Sequence, residues 1–175
     1  MIFQTNRLLI RKLTRTDKEL FFELMGNPNV MNPIPRKTLS KPESDKRLEE
    51  FIRLEAFENN KIWCLTAKGN SDLIGVCGFV ESEGSFEMAY SLRETCWKNG
   101  FGGEIAKGLI EYGFEKLNLD KIIAEVNIEN LYSLKILDGL MTPMHDTINT
   151  QDNCTDRYYE LLKENWKKKH LGKSV

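Results

Sequence analysis

The sequence predicts one mixed α+β domain spanning residues 1–175, with a largely antiparallel sheet flanked by helices. Three observations carry that expectation. Residues 62–67, 73–80 and 86–92 are strand-like runs separated by the turn stretches 69–72 and 81–85, which predicts three strands joined by hairpins. Segments with apolar residues at helical spacing lie before and after this meander. A hydrophobic content of 41% over 175 residues suits one core that buries roughly two thirds of the unfolded surface.

In chain order, Arg7-Leu8-Leu9-Ile10-Arg11-Lys12-Leu13 sets Leu8 and Ile10 on one face and predicts a first strand. Thr16-Asp17-Lys18-Glu19 reads as a capping box for a helix whose apolar face is Leu20, Phe21 and Leu24, and Gly26-Asn27-Pro28 stops it. Residues 27–39 carry Pro28, Pro33 and Pro35 without any period, so a loop suited to substrate contacts is expected. Ser40-Lys41-Pro42-Glu43 is a second capping box, opening a helix through Leu48, Phe51 and Ile52 to about Asn59. After the meander, Ile105, Leu109, Ile110, Gly113, Phe114 and Leu117 predict a helix, residues 121–126 a strand, and Asn130 the cap of a helix with Leu131, Leu134, Leu137 and Met141 on one face. Thr142-Pro143 breaks that helix, residues 144–150 read as a strand, and residues 158–162 as a final strand or part of a helix. Trp63, Phe79, Phe86, Tyr90 and Phe114 are expected to fill the core.

Several function classes are disfavoured by composition. With 25 Lys and Arg against 26 Asp and Glu, no global basic field invites nucleic acid, and Lys167-Lys168-Lys169 reads as a solvated tail. Cys64, Cys77, Cys96 and Cys154 contain no C-x-x-C spacing, and His145 and His170 lie far from most of them, so neither a disulfide framework nor a metal site is expected. The first residues lack a basic and then apolar leader, and no run approaches the ~18 apolar residues of a membrane span. A cytoplasmic protein without a membrane partner is the expectation.

Trp97-Lys98-Asn99-Gly100-Phe101-Gly102-Gly103-Glu104 is the most informative segment. Three glycines within four residues at the mouth of a helix let main-chain N–H groups converge on one anion, and residues 98–103 suit a pyrophosphate. A dinucleotide fingerprint does not fit, because its third glycine falls on Ile105 and the segment follows hairpins instead of opening a βαβ unit. Taken with Arg7-Leu8-Leu9-Ile10-Arg11, Leu73-Ile74-Gly75, Glu87-Met88-Ala89-Tyr90 and Asn130-x-x-Ser133-x-x-Ile136-Leu137, the segment resembles the GNAT acetyltransferases in order and spacing, over roughly residues 5–140. The branch it resembles most holds the N-terminal alanine and serine acetyltransferases of ribosomal proteins. The resemblance implies an acyl-CoA N-acyltransferase fold, in which two central parallel strands splay and acetyl-CoA lies in the V between them. It implies donor contacts from Lys98, Asn99, Gly100, Phe101, Gly102 and Gly103, from the main chain of Tyr90, Ser91 and Leu92, and from Asn130 and Ser133. A monomer or homodimer without a metal completes that expectation.

Acetyl transfer to an amine needs a neutral nucleophile, positioning, oxyanion stabilisation and a proton for the leaving thiolate. At pH 7, freeing an α-amine of pKa ~8 costs about 1.4 kcal/mol, against about 4.6 kcal/mol for a lysine of pKa ~10.4. A weak or water-relayed base therefore suffices for an N-terminus. Glu87 is the first candidate for that base, although a solvent-facing strand glutamate reads the same way. Where the family often places its acidic tyrosine this chain has Leu137, so the resemblance offers Ser133 instead, a residue equally suited to helix packing. Asn130 reads as a pantetheine contact, a helix cap, or both. No base adjoins Cys96 in sequence, which favours direct transfer over an acyl relay. Leu140-Met141-Thr142 replaces the family's usual Leu-Gly-Phe, so the helix end and the following strand are expected to differ. The expected function is acetyl transfer from acetyl-CoA to a primary amine, on a protein N-terminus or a small molecule such as a polyamine. An acyl-CoA sensor on the same fold is the alternative.

Overall fold

The computed structural model describes residues 1–34, 36–57, 61–82, 84–150 and 152–171. Their strands are β1 (Phe3–Gln4), β2 (Leu8–Arg11), β3 (Lys61–Ala67), β4 (Leu73–Ser82), β5 (Ser85–Leu92), β6 (Lys121–Asn127), β7 (Thr142–Asn149) and β8 (Cys154–Leu162). They form one sheet in the order β1-β2-β3-β4-β5-β6-β8-β7. Every neighbouring pair is antiparallel except β5 with β6. The helices are α1 (Lys18–Met25), α2 (Pro28–Met31), α3 (Lys41–Phe57), α4 (Phe101–Glu115), α5 (Leu131–Asp138) and α6 (Lys163–Leu171). This is the mixed, largely antiparallel architecture that the sequence predicts.

Two apolar clusters divide the interior between the faces of the sheet. One gathers Ile105, Leu109 and Phe114 of α4 and Leu134 and Leu137 of α5 against Leu8, Ile10, Phe79, Met88 and Ile122. The other gathers Phe21 and Leu24 of α1, Val30 and Met31 of α2 and Leu48 of α3 around Leu13, Cys64, Leu73 and Val76. Among the expected core aromatics, Trp63, Phe79 and Phe114 are at most 1% exposed, and Phe86 and Tyr90 pack on the first cluster.

Several boundaries differ from the sequence reading, each for a local reason. The first helical turn starts at Thr14, not Thr16: the Asp17 carboxylate accepts the Thr14 N–H at 2.8 Å, and a 3-10 turn over Arg15–Asp17 leads into α1. Ser40 does open α3, its N–H and hydroxyl both donating to Glu43 at 2.8 and 2.6 Å. The expected loop at 27–39 contains α2, where Pro28 begins a new helix behind the Asn27 cap. Helix α5 ends at Asp138, three residues before Met141, which nevertheless stays in the core. Gly139 closes it at φ −79°, so no left-handed residue is used, and Thr142-Pro143 already belongs to β7. Residues 158–162 lie within β8, which leaves the helix reading to α6 beyond them; the end expected for the second helix near Asn59 lies outside the described residues.

Asp17 is the one carboxylate among the buried residues described, at 4% exposure. Burial pushes its carboxyl up, yet the Arg11 fork, at 2.6 and 2.9 Å, and the Thr14 N–H outweigh burial and hold it below the ordinary range. The pair joins β2 to the start of α1. Asp17→Ala is expected to cost about 3 kcal/mol, because it strands the Arg11 guanidinium, and thermal unfolding measures the loss. With the folded carboxyl below its unfolded value of 3.8, the stabilisation is present above pH 3.8 and disappears as pH falls through the depressed value. The variant is therefore expected to lose the part of the acid limb of the wild-type stability profile that Asp17 contributes.

Candidate active site in a forked sheet

Strands β5 and β6 pair at only two positions, Phe86 with Ile122 and Glu87 with Ile123. Beyond Glu87 the two strands part. The Arg93 N–H bonds the Ile74 carbonyl at 2.9 Å, which sets the phase of the β4–β5 ladder: the odd residues of β5 spend their main-chain groups on β4. The main-chain groups of Tyr90 and Leu92 therefore face the gap, and those of Ser91 do not. This corrects the expectation for Ser91, whose neighbour in the ladder is Val76. On the opposite edge, the bonds from Lys163 to Asp120 and from Ile128 to Thr155 direct the even residues of β6 to β8 and the odd ones to the gap.

Helix α4 points its N-terminus toward the β5 end of this gap. Gly100 takes φ +75° at its cap, a conformation that glycine adopts without steric penalty, and Lys98 just before it is also left-handed at φ 62°. No side chain caps the helix, so the N–H groups of Phe101, Gly102 and Gly103 lack intrahelical partners. A Cβ on Gly103 would meet nothing within 4 Å, whereas one on Gly102 would come within 3.1 Å of Ile136. The result is an open cradle of donors with the positive end of a 15-residue helix behind it. Lys98 is exposed beside it. Asn99 turns its side chain inward to donate to the Cys96 and Trp97 carbonyls at 3.2 and 3.1 Å, so that amide braces the loop. Trp97 likewise donates its ring N–H to the Leu92 carbonyl at 2.9 Å.

The sequence reading gave no role to the contacts that hold this loop. Glu104 accepts the Thr5 hydroxyl at 2.5 Å, the Arg7 N–H at 2.7 Å and the Arg7 Nε at 2.6 Å. Arg7 also donates to the Asn99 carbonyl at 2.9 Å and lies 4.9 Å from the centre of the Phe101 ring. Burial works against the Glu104 charge, but these donors outweigh it and keep the carboxyl below its ordinary value. Arg7 and Glu104 both lie in the segments that carry the family resemblance, but their pairing over 97 residues of chain leaves no local signal.

Glu87 stands where the strands part, half-buried, and the Glu125 main-chain N–H is directed at its carboxylate. Burial pushes its pKa up, the nearby Glu125 charge adds to this, and Arg36 opposes them. Asp156 contributes a further negative charge on the same side. This side of the fork is thus acidic, and the Glu87 carboxyl keeps its proton to a higher pH than an ordinary glutamate does.

On the other side of the sheet, Asn130 caps α5 by accepting the Ser133 N–H at 3.2 Å, as the cap reading has it. Ser133 is half-buried in the first helical turn. Leu137 is 1% exposed in the core, one turn further on. Cys96 is half-buried, with the Thr95 hydroxyl 3.8 Å from its sulfur. Cys64 and Cys77 are buried free thiols, and burial pushes the Cys64 thiol up to about 12, which makes it a poor nucleophile. Among the described residues, no group of His, Cys, Asp and Glu forms a metal site, and no helix is long and apolar enough to cross a membrane.

Known proteins share the fold that carries this forked sheet. Residues 7–140 match the acetyltransferase (GNAT) domain model. The chain is 33% identical over 163 residues to an uncharacterised N-acetyltransferase, p20, of Bacillus licheniformis, with 90% of each chain covered. Its fold is similar to that of spermidine N-acetyltransferase from Vibrio cholerae, solved with CoA and spermine (TM-score 0.77, 20% identity, 91% of this chain and 97% of that one). A ribosomal L7/L12 α-N-protein acetyltransferase solved with coenzyme A is also similar (TM-score 0.79, 15% identity, 94% and 98%). A domain match over most of the chain, with a relative at this identity, settles the family: the chain belongs to the GNAT acetyltransferases.

Proposed function

We propose that this protein is an N-acetyltransferase that moves the acetyl group of acetyl-CoA directly to a primary amine. The two-residue pairing of β5 and β6 carries the reading, because it leaves main-chain groups on both edges of a gap that leads from Glu87 to the α4 cradle. Acetyl-CoA supplies an activated thioester. The chain's own residues supply the rest. The N–H groups at Phe101, Gly102 and Gly103, backed by the helix dipole and by Lys98 at the surface, suit the pyrophosphate. The main chain of Tyr90 and the N–H of Leu92, whose carbonyl already accepts the Trp97 ring N–H, suit the pantetheine amides as an added strand would. The Asn130 NH2 group, which the α5 cap does not require, suits a pantetheine carbonyl.

Glu87 receives the proton that the amine loses as its nitrogen bonds the acetyl carbon and the carbon–sulfur bond breaks. Ser133 directs a hydrogen bond at the departing sulfur, which leaves as a thiolate and takes its proton from water, in place of the tyrosine that Leu137 cannot supply. Glu87, Glu125 and Asp156 outnumber Arg36 around the acceptor side, which favours an acceptor carrying positive charge beyond the reacting amine. A polyamine meets that condition. Spermidine is the acceptor named for one structural neighbour and a ribosomal protein for another, so both kinds of amine belong in the first assay.

Thiol release from acetyl-CoA, measured against a panel of polyamines, amino compounds and N-terminal peptides, is expected to depend on the acceptor. Tight CoA binding without such release would make the protein a sensor. Glu87→Gln is expected to lower kcat/KM about 100-fold and to remove the acid limb of the pH profile, which in the wild type lies above the ordinary glutamate value of 4.5. A raised folded-state pKa means that ionised Glu87 opposes folding: the stability it contributes is full below pH 4.5 and is lost as pH rises through the raised value. The same variant is therefore expected to melt higher than wild type at pH 7, and not at pH 4. Glu104→Ala, which frees the cradle from Arg7 and Thr5, is expected to raise the KM for acetyl-CoA about tenfold, equivalent to ~1.4 kcal/mol, with little change in kcat.

A further inference from the structure

Tyr90 follows the fork on β5, and its ring lies 3.7 Å from the position of a Cβ on Gly102, between the α4 cradle and α5. Its hydroxyl is shut off from solvent and bonded to nothing among the described residues. A tyrosine hydroxyl in a core normally finds a partner, and one left without is costly to keep. Facing it is the Ser133 side chain, on the first turn of α5. The two hydroxyls are not within hydrogen-bond geometry of each other as they stand. The Ser133 N–H is held by Asn130, which fixes the backbone and leaves the hydroxyl free to rotate.

We infer that Tyr90 is a positioning residue: its O–H donates to the Ser133 oxygen, and this aims the Ser133 hydrogen at the sulfur of the donor in the gap. A lone serine hydroxyl rotates among three staggered positions and spends much of its time pointing elsewhere. A donor behind the oxygen removes that freedom, because the lone pair facing Tyr90 becomes occupied and the remaining hydrogen turns outward. Tyr90 can serve at any working pH. Burial pushes its phenol up to about 12, so it stays protonated and keeps the hydrogen that the arrangement needs. The orphaned hydroxyl in the core thereby gains a use that packing does not give it.

The inference rests on Ser133 acting on the donor sulfur, and two measurements separate its failure from that of the proposed activity. In turnover, Tyr90→Phe is expected to lower kcat about tenfold with the KM for acetyl-CoA within twofold, and to leave the melting temperature equal or higher. Ser133→Ala is expected to fall at least as far, and the double variant no further than Ser133→Ala alone, since both changes remove one hydrogen-bond chain. In the second measurement, the ultraviolet absorbance of the thiolate follows the titration of bound coenzyme A, which needs no acceptor. The bound thiol is expected to titrate about one pH unit higher in Tyr90→Phe and in Ser133→Ala than in wild type, because each loses support for the thiolate. Wild-type turnover together with an unaltered Tyr90→Phe kcat overturns the inference alone. Absence of turnover in wild type overturns the proposed activity, and the thiol titration then decides the inference by itself: equal values in wild type and Tyr90→Phe reject it. Failure of coenzyme A to bind wild type rejects both.

Discussion

The short parallel contact between β5 and β6 governs the site. Each strand is held firmly on its other edge, β5 by eight register positions with β4 and β6 by seven with β8, so their natural twist pulls them apart once the two-position contact ends. A sheet that opens in its middle exposes main-chain donors and acceptors that cannot remain unpaired without cost. Water satisfies them loosely. An extended molecule that bears amides satisfies them in register, and this explains why a gap of this kind selects a ligand by its backbone-like chemistry.

The fork also separates two environments. On one face, α4 and α5 bring together an apolar core, a helix dipole and the Tyr90 and Ser133 side chains. On the other, Glu87, Glu125 and Asp156 collect near Arg36. Strand periodicity produces this division, since alternate residues of β5 contribute to each side: Phe86, Met88 and Tyr90 to the apolar cluster, Glu87 to the acidic one. The Glu87 carboxylate and the Tyr90 ring thus lie on opposite faces of the sheet although they are only three positions apart in the chain.

The parts of this arrangement that were legible in the sequence are those whose signals are local. The three-strand meander, the glycine-rich opening of α4, the Ser40–Glu43 cap and the Asn130 cap each lie within a short window, and each is present. What escaped depends on distant partners. Thr14 and Thr16 both stand three residues before an acidic residue, and it is Arg11, gripping Asp17, that favours Thr14. Strand β1 has two residues and therefore no period to read. The difference between Ser91 and its neighbours Tyr90 and Leu92 depends on which ladder bonds form, a phase that composition does not encode. Proline at 28 reads equally as the end of one helix and the first residue of the next, and only the Asn27 side chain, accepting the Asn29 N–H at 2.9 Å, distinguishes them.

The clamp on Glu104 has a consequence for assembly. Its donors lie up to 99 residues away in the chain, so the contact closes a long loop and belongs with the pairings that a folding polypeptide makes last. A partly folded chain can form α4, glycines included, while that helix end still swings free of the β2 strand. Such a chain holds the glycine-rich sequence without the shape of the cradle. On the function proposed above, donor binding would discriminate between finished and unfinished molecules and draw the population toward the completed sheet by mass action.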